Sequence, residues 1–406
     1  MTQINTISER LHALDAVRAF ALLLGIVLHA TMSFQPGLAV VGWPIVDNNP
    51  SVVMDLAFYL IHVFRMATFF IIAGFFAHMV FHRRGAVMFI KDRLRRIALP
   101  LVIFWPVVIV PITAALIWGV LKINGGELPQ ESTAPEGTEF PLTHLWFLYV
   151  LLWIYGIVLA LRQLLVLVDR NESIRHRIDI LFARITASPT ASLVLAIPIA
   201  IALALIPDWV FWGGIPTPDQ SLRPIASSLF IYCYVFVLGW VLHRQQQLLQ
   251  AIRTNRVSHL LIGLLAVVTS LGMAGPGSDF ASVATGMQGM FYAFTYAIAT
   301  VALSLGFIGF GLELFRRENP RIRYLADASY WMYVMHLPIV MLLQAWMMDM
   351  DLHWSIKFMV INGITFGLLL ASYHWLVRER WLGRLLSGKR KTKAAERQQS
   401  LSARPA

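Results

Sequence analysis

Apolar residues in this chain come in long blocks separated by short polar or charged stretches. The first five blocks are Leu14–Phe34, Val52–Val80, Ile97–Leu121, Leu145–Leu161 and Ala191–Ile206. The others are Ile225–Leu242, Leu260–Gly272, Met287–Leu312, Ala328–Met348 and Ile356–Val377. A helix rises about 1.5 Å per residue, so about 20 residues cross a hydrocarbon core roughly 30 Å thick. Most blocks reach that length; Leu260–Gly272 is the weakest. Any one block alone fits a buried core helix, but the succession predicts an all-α, polytopic transmembrane bundle with about ten spans. No intervening stretch is large enough for a soluble catalytic domain. The expected organisation is therefore a transmembrane domain over residues 1–382 and a basic, disordered cytoplasmic tail over 383–406.

Composition and charge turn this into a topology. Of the 406 residues, 58% are hydrophobic and 14% charged, against about 25% charged in soluble domains. A formal net charge of +11 is compatible with a nucleic-acid binder, but the distribution excludes that reading. When the polar stretches are assigned to alternating sides, one side holds the clusters Arg83–Arg96, Arg162–Arg184, Arg244–Arg256, Arg316–Arg323 and Arg378–Arg404. The other side holds only Lys122 and Arg223. The positive-inside rule then puts both termini in the cytoplasm and requires an even number of spans. The first block is long, is interrupted by Arg18 and is followed by no small-x-small site, so it is expected to be a span and not a cleaved signal. The tail cluster Lys389–Lys393 is either an anionic-lipid contact or a topology anchor. The lone Cys233 excludes an intrachain disulfide.

Charged groups inside a bilayer cost roughly 2.5–3.5 kcal/mol on insertion scales, so each calls for a reason. Arg18 and His29 are separated by about 1,100° of helical rotation and project from one face, about 16 Å apart along the axis. Asp15 lies one turn before Arg18 and can pair with it. Arg18 is either a snorkelling anchor or a functional cation; His29 is either a packed histidine or a base. The second span carries Asp55, His62 and Arg65, too much polarity for a lipid-facing helix. An interior, water-accessible cavity and an ion-pair network joining the first two helices are the competing explanations. Arg93 and Arg96, one turn apart at the inner surface, suit either a positive-inside anchor or a grip on phosphate. His144 and Trp146 open the fourth span at the outer surface, and Tyr333 and His336 lie one turn apart in the ninth. The histidines lack HExxH or paired Cys/His spacing, so no metal site is expected.

These residues resemble the membrane-bound acyltransferase family 3. Leu14-Asp15-Ala16-Val17-Arg18-Ala19, with Gly25 and His29, looks like its first helix and its Arg-x10-His motif. Thr68–Phe75 resembles its FF-x-x-SGF segment, with Ala73 where serine is common. Arg93-x-x-Arg96 matches its RxxR motif. His144-Leu145-Trp146 and Ser329-Tyr330-x-x-Tyr333-x-x-His336-x-Pro338 resemble later landmarks. His62, Arg65 and Met66–Phe76 look most like the glucan biosynthesis protein C branch, which is associated with succinylation of periplasmic glucans.

The resemblance implies a multi-pass enzyme of the bacterial inner membrane. It would transfer an acetyl or succinyl group from a cytoplasmic donor, acyl-CoA, to a hydroxyl of a periplasmic or cell-envelope glycan. Acyl-CoA would be a co-substrate and not a tightly bound cofactor; membrane lipids are the other expected partner, and nucleic acid is not one. The resemblance carries His29 over as the catalytic residue, with Arg18, Arg93 and Arg96 as supporting or donor-binding groups. Asp15, Asp55, His62 and Arg65 join the catalytic candidates, and His144, Trp146, Tyr333 and His336 the substrate-binding ones. Asp55 is a candidate to orient His29, and His62, Arg65 or Tyr333 to stabilise an oxyanion. A transporter or flippase of a glycan or lipid-linked sugar is the competing class. A non-catalytic glycan-binding protein is the third.

Overall fold

The computed structural model describes residues 2–127 and 139–386. The basic tail beyond 386, including Lys389–Lys393, and part of the loop 124–143 lie outside the described residues. Helices α1 (Thr2–Thr31), α2 (Val52–Arg93), α3 (Leu99–Ile123) and α4 (Trp146–Val168) come first. A short helix α5 (Ser173–Ala187) and the broken pair α6 (Ala191–Leu195) and α7 (Ile197–Ala204) follow. The remainder are α8 (Ala226–Arg244), α9 (Leu248–Thr254), α10 (Arg256–Ala274), α11 (Gly286–Leu314), α12 (Pro320–Met347), α13 (Trp354–Ser372) and α14 (Trp381–Leu386). No strand occurs among the described residues; the only extended pairing there is the single bridge Val210–Val283.

Seven helical stretches among the described residues are long and apolar enough to cross a membrane. The expectation of about ten differs from this number for three physical reasons. The stretch Val52–Ile123 runs 72 residues without leaving helix, but Gly85 breaks it at φ 73°, ψ 173°. That conformation is open to glycine and closed to residues with a Cβ. The block expected as Ala191–Ile206 forms two short pieces, because Pro198 in the first turn of α7 has no N–H to give. Finally, α12 buries Tyr333, His336 and Gln344, which lower its hydropathy although it packs as a core helix. By contrast Leu260–Gly272, the shortest block, lies inside the 19-residue apolar helix α10. The charged stretch 169–190 between α4 and α6 holds α5.

Helix α1 packs against α12, α2 and α11, while α11 also contacts α10, α2 and α7. The α2–α8 contact is close because small residues face backbone on both sides. A Cβ at Gly74 would overlap the Phe236 carbonyl, and one at Gly239 would overlap that of Ile71.

Three loops cover the end of the bundle that carries His29, its outer end in the expected topology; the end that carries Arg18 is the inner one. The 35–51 loop is tied down by Lys357, whose ammonium donates to Asp47 Oδ1 and Asn48 Oδ1, both at 2.7 Å. Lys357 is 0% exposed and Asp47 5%, so this is a buried pair whose rupture would strand a charge. Asn49 accepts from the Trp354 amide at the start of α13 (3.1 Å). The 275–285 loop reaches back to α2, where Ser278 hydrogen-bonds Asp55. The loop after α7 rests its Gly213–Gly214 backbone on His62.

Candidate active site

The site is built on the outer end of α1, where helix geometry leaves carbonyls without partners. Thr31 Oγ1 donates to the Leu28 carbonyl at 2.7 Å. The amide of the buried Gln344 on α12 donates to the His29 carbonyl at 2.8 Å. These contacts pin the backbone of His29 while its ring points across to α12. There His29 Nδ1 lies 2.8 Å from His336 Nε2, and the two rings are nearly parallel (9°, centroids 5.0 Å apart).

Pro338 explains how the neighbouring histidine is held. Its missing N–H leaves the carbonyl four residues earlier, Val334, without its helical partner. His144 Nε2 fills that vacancy, donating to the Val334 carbonyl at 3.0 Å. Tyr333 closes the loop from the other side, its hydroxyl donating to the His144 carbonyl at 2.6 Å. His336 Nδ1 in turn donates to the Tyr333 carbonyl, also at 2.6 Å. His144 meets His336 edge-on, with ring centroids 5.0 Å apart. The spacing Tyr-x-x-His-x-Pro on α12 thus ties α1, α12 and the turn before α4 together.

Arg65 on α2 comes in beside this cluster. A Cβ at Gly25, one turn before His29, would overlap its guanidinium, so the glycine makes room for the cation. His29, His62, His144 and His336 all lie within its electrostatic range, as do Tyr232 and Tyr333. No ion pair involves Arg65 among the described residues, and its buried Nε has no hydrogen-bond acceptor. No ion pair there links α1 to α2 either, so the network that competed with a cavity is not formed. His29, His62 and Arg65 each retain accessible surface in the interior of the bundle.

The remaining candidates sit elsewhere. Asp55 is not at His29: it is buried in the first turn of α2, bonded to Ser278, with Oδ1 unpartnered. His62, two turns further along α2, stacks on Phe58 (centroids 5.1 Å apart, 12°). Trp146 is buried against Phe147 and Tyr232. At the inner end Arg18 pairs with Asp15 at 3.1 Å and lies over the Phe76 ring. Arg93 and Arg96 converge on one carboxylate, Asp92, at 3.7 and 3.0 Å. Arg93 is also sandwiched over Phe89 and Tyr155, and the Tyr330 hydroxyl donates to the Arg96 carbonyl at 2.8 Å. Helix α12 therefore touches both the inner arginines and the outer histidines. Among the described residues no group of three or more His, Cys, Asp or Glu side chains is arranged to hold a metal ion.

Sequence reasoning did not single out Gln344, nor did it see that Lys357 answers Asp47. Neither left a local signal, since each acts on a partner some 300 residues away. Pro338 did carry one: a proline inside a span marks a carbonyl that needs a donor from another element.

Residues 11–371 match the acyltransferase domain described as Acyl_transf_3. Glucans biosynthesis protein C of Shigella dysenteriae serotype 1 is 24% identical over 346 residues, 84% of each chain. The proteins of that name from Escherichia coli strains 536 and SMS-3-5 are also 24% identical over 84% of each chain. No solved structure matches this chain. The family match spans every element that builds the histidine cluster, and the apolar helices make the chain a membrane protein: it is an acyltransferase of the Acyl_transf_3 family.

Proposed function

We propose that this protein transfers an acyl group from a cytoplasmic acyl-CoA to a hydroxyl of a glycan outside the bacterial inner membrane. A glycan acceptor is suggested by the name of the glucans biosynthesis proteins C it resembles. A ten-span topology with both termini inside fits this role. The 72-residue stretch counts as two crossings around Gly85, and α12 with the short α6–α7 pair completes the set. The basic residues then cluster on one face.

The observation that carries the reading is His29 itself: an imidazole with accessible surface, held from behind, beside an arginine with no counter-ion. In the reaction His29 takes the proton of the acceptor hydroxyl as its oxygen attacks the thioester carbonyl carbon. The carbonyl oxygen becomes an oxyanion, the C–S bond breaks on collapse, and the proton passes to the leaving thiolate. Of the three oxyanion candidates, Tyr333 already commits its hydroxyl to the His144 carbonyl, and His62 is engaged by the Gly213 backbone. Arg65 has N–H groups to spare, so it takes that role.

Arg93 and Arg96 would bind the donor's phosphates by exchanging Asp92 for them. The axial distance of about 16 Å between Arg18 and His29 is comparable with an extended pantetheine arm. The donor's head can therefore stay at the inner mouth while its thioester reaches the site. Incubating purified protein with labelled acyl-CoA and a glucan acceptor tests the reading. Label is expected on the glycan, and its absence with the wild-type protein but not with a related acyltransferase control would refute the assignment.

A further inference from the structure

We infer that His336 is a positioning residue that decides which nitrogen of His29 is the base; this rests on the reading of His29 as base given above. The Tyr333 carbonyl can only accept, so His336 Nδ1 must carry a proton to make its 2.6 Å contact. In the neutral ring Nε2 is then the lone-pair side. That lone pair faces His29 Nδ1 at 2.8 Å, so His29 bears its proton on Nδ1. The lone pair of His29 is left on Nε2, the nitrogen without a protein partner among the described residues. Which nitrogen of an imidazole is basic is set by the bond the other one makes. Here the chain Tyr333 carbonyl, His336, His29 makes that choice with two rings and one backbone oxygen.

The arrangement also fixes direction. His336 cannot swing away, because its other nitrogen is bonded to the carbonyl three residues earlier on its own helix. The nearly parallel rings hold His29 at one angle. When Nε2 takes the hydroxyl proton, His29 becomes an imidazolium and its Nδ1–H···Nε2 bond to His336 becomes charge-assisted and stronger. The interaction is therefore tighter in the transition state than in the resting site, as a buried carboxylate achieves for histidine in other acyl-transfer sites. His336 does this without adding negative charge beside Arg65. Both of its nitrogens are used, so it has no polar atom left for the substrate-binding role the sequence suggested.

Three substitutions separate this role from packing. The glutamine amide can place Oε1 near the former Nε2 and accept from His29 Nδ1; the asparagine amide is too short to reach it, and leucine cannot accept at all. His336→Gln should lower kcat by less than about tenfold, whereas His336→Asn and His336→Leu should lower it about 100- to 1,000-fold. KM for donor and acceptor should change less than about threefold in all three. Wild-type kcat in the Leu or Asn variant, or the same kcat loss in Gln as in Leu at equal thermal stability, would overturn the proposal. Nitrogen-15 spectra of ring-labelled wild-type protein give a readout independent of activity and of variant folding: His29 should show a protonated Nδ1 and a bare Nε2. The opposite tautomer overturns the proposal directly. If His29→Ala is inactive while His336→Leu is normal, only this inference fails; if His29→Ala is active, the reading beneath it fails.

Discussion

The inner and outer ends of the α1–α12 contact handle charge in opposite ways. At the inner end every cation named here has a carboxylate, Arg18 with Asp15 and Arg93 and Arg96 with Asp92, in partly exposed pairs. At the outer end Arg65 has none, and the three histidines lean on one another and on the carbonyls of Val334 and Tyr333. A half-exposed pair such as Arg18–Asp15 contributes about 0–1 kcal/mol and exchanges partners easily, and Asp92, though mostly covered, is shared between two arginines, so an incoming anion can replace it without stranding either. A buried cation without a counter-ion is costly to maintain, which suits a place where negative charge appears during a reaction. The two ends differ in what neutralises their basic groups.

The largest effect should come from the outer end. His29→Ala is expected to lower acyl transfer at least about 1,000-fold without loss of thermal stability; near-normal activity would erase the distinction drawn here. Arg65→Gln should follow, with kcat down about 100- to 1,000-fold and donor KM nearly unchanged. A rise in donor KM alone would move Arg65 from oxyanion partner to binding group. Arg93→Ala combined with Arg96→Ala should do the reverse, raising donor KM about tenfold with kcat largely kept, more so at low salt. Unchanged donor affinity would return both to the role of topology anchors. The smallest effect is expected from Pro338→Ala. Restoring the helical N–H gives the Val334 carbonyl a second donor and loosens His144, so kcat should fall only a few-fold; an unchanged kcat would detach His144 from the mechanism.

A separate substitution asks whether the outer cap positions the site. Lys357→Met leaves Asp47 buried without its partner and should destabilise the protein by about 3–5 kcal/mol, read as a large drop in melting temperature. Removing both charges with Asp47→Asn and Lys357→Met should recover much of that loss.

Much of this was legible in the chain, and the remainder was hidden for identifiable reasons. Hydropathy located the helices because apolar length is a local property. Seven helical stretches meet the length and hydropathy of a span, because two of the apolar blocks share one helical run around Gly85, one is broken at Pro198 and α12 is polar inside. The Arg18–Asp15 pair and the shared inner mouth of Arg93 and Arg96 followed from i,i+3 spacing. The histidine cluster did not. His29 and His336 are 307 positions apart, and no period in either helix says that their rings meet. The same distance hid Lys357 and Asp47, and it led Asp55 to be offered as the group orienting His29. Its true partner, Ser278, lies in a loop whose path no local pattern gives.

The central claim is that donor and acceptor reach His29 from opposite faces. Proteoliposomes with the protein in one orientation test it most directly, with labelled acyl-CoA confined to the side of the Arg93–Arg96 mouth and a glucan supplied only on the other. The account predicts acyl label on the glucan that never leaves its own side, and none with His29→Ala. Label that appears only when both substrates share a side, or unmodified glucan carried across, would contradict it.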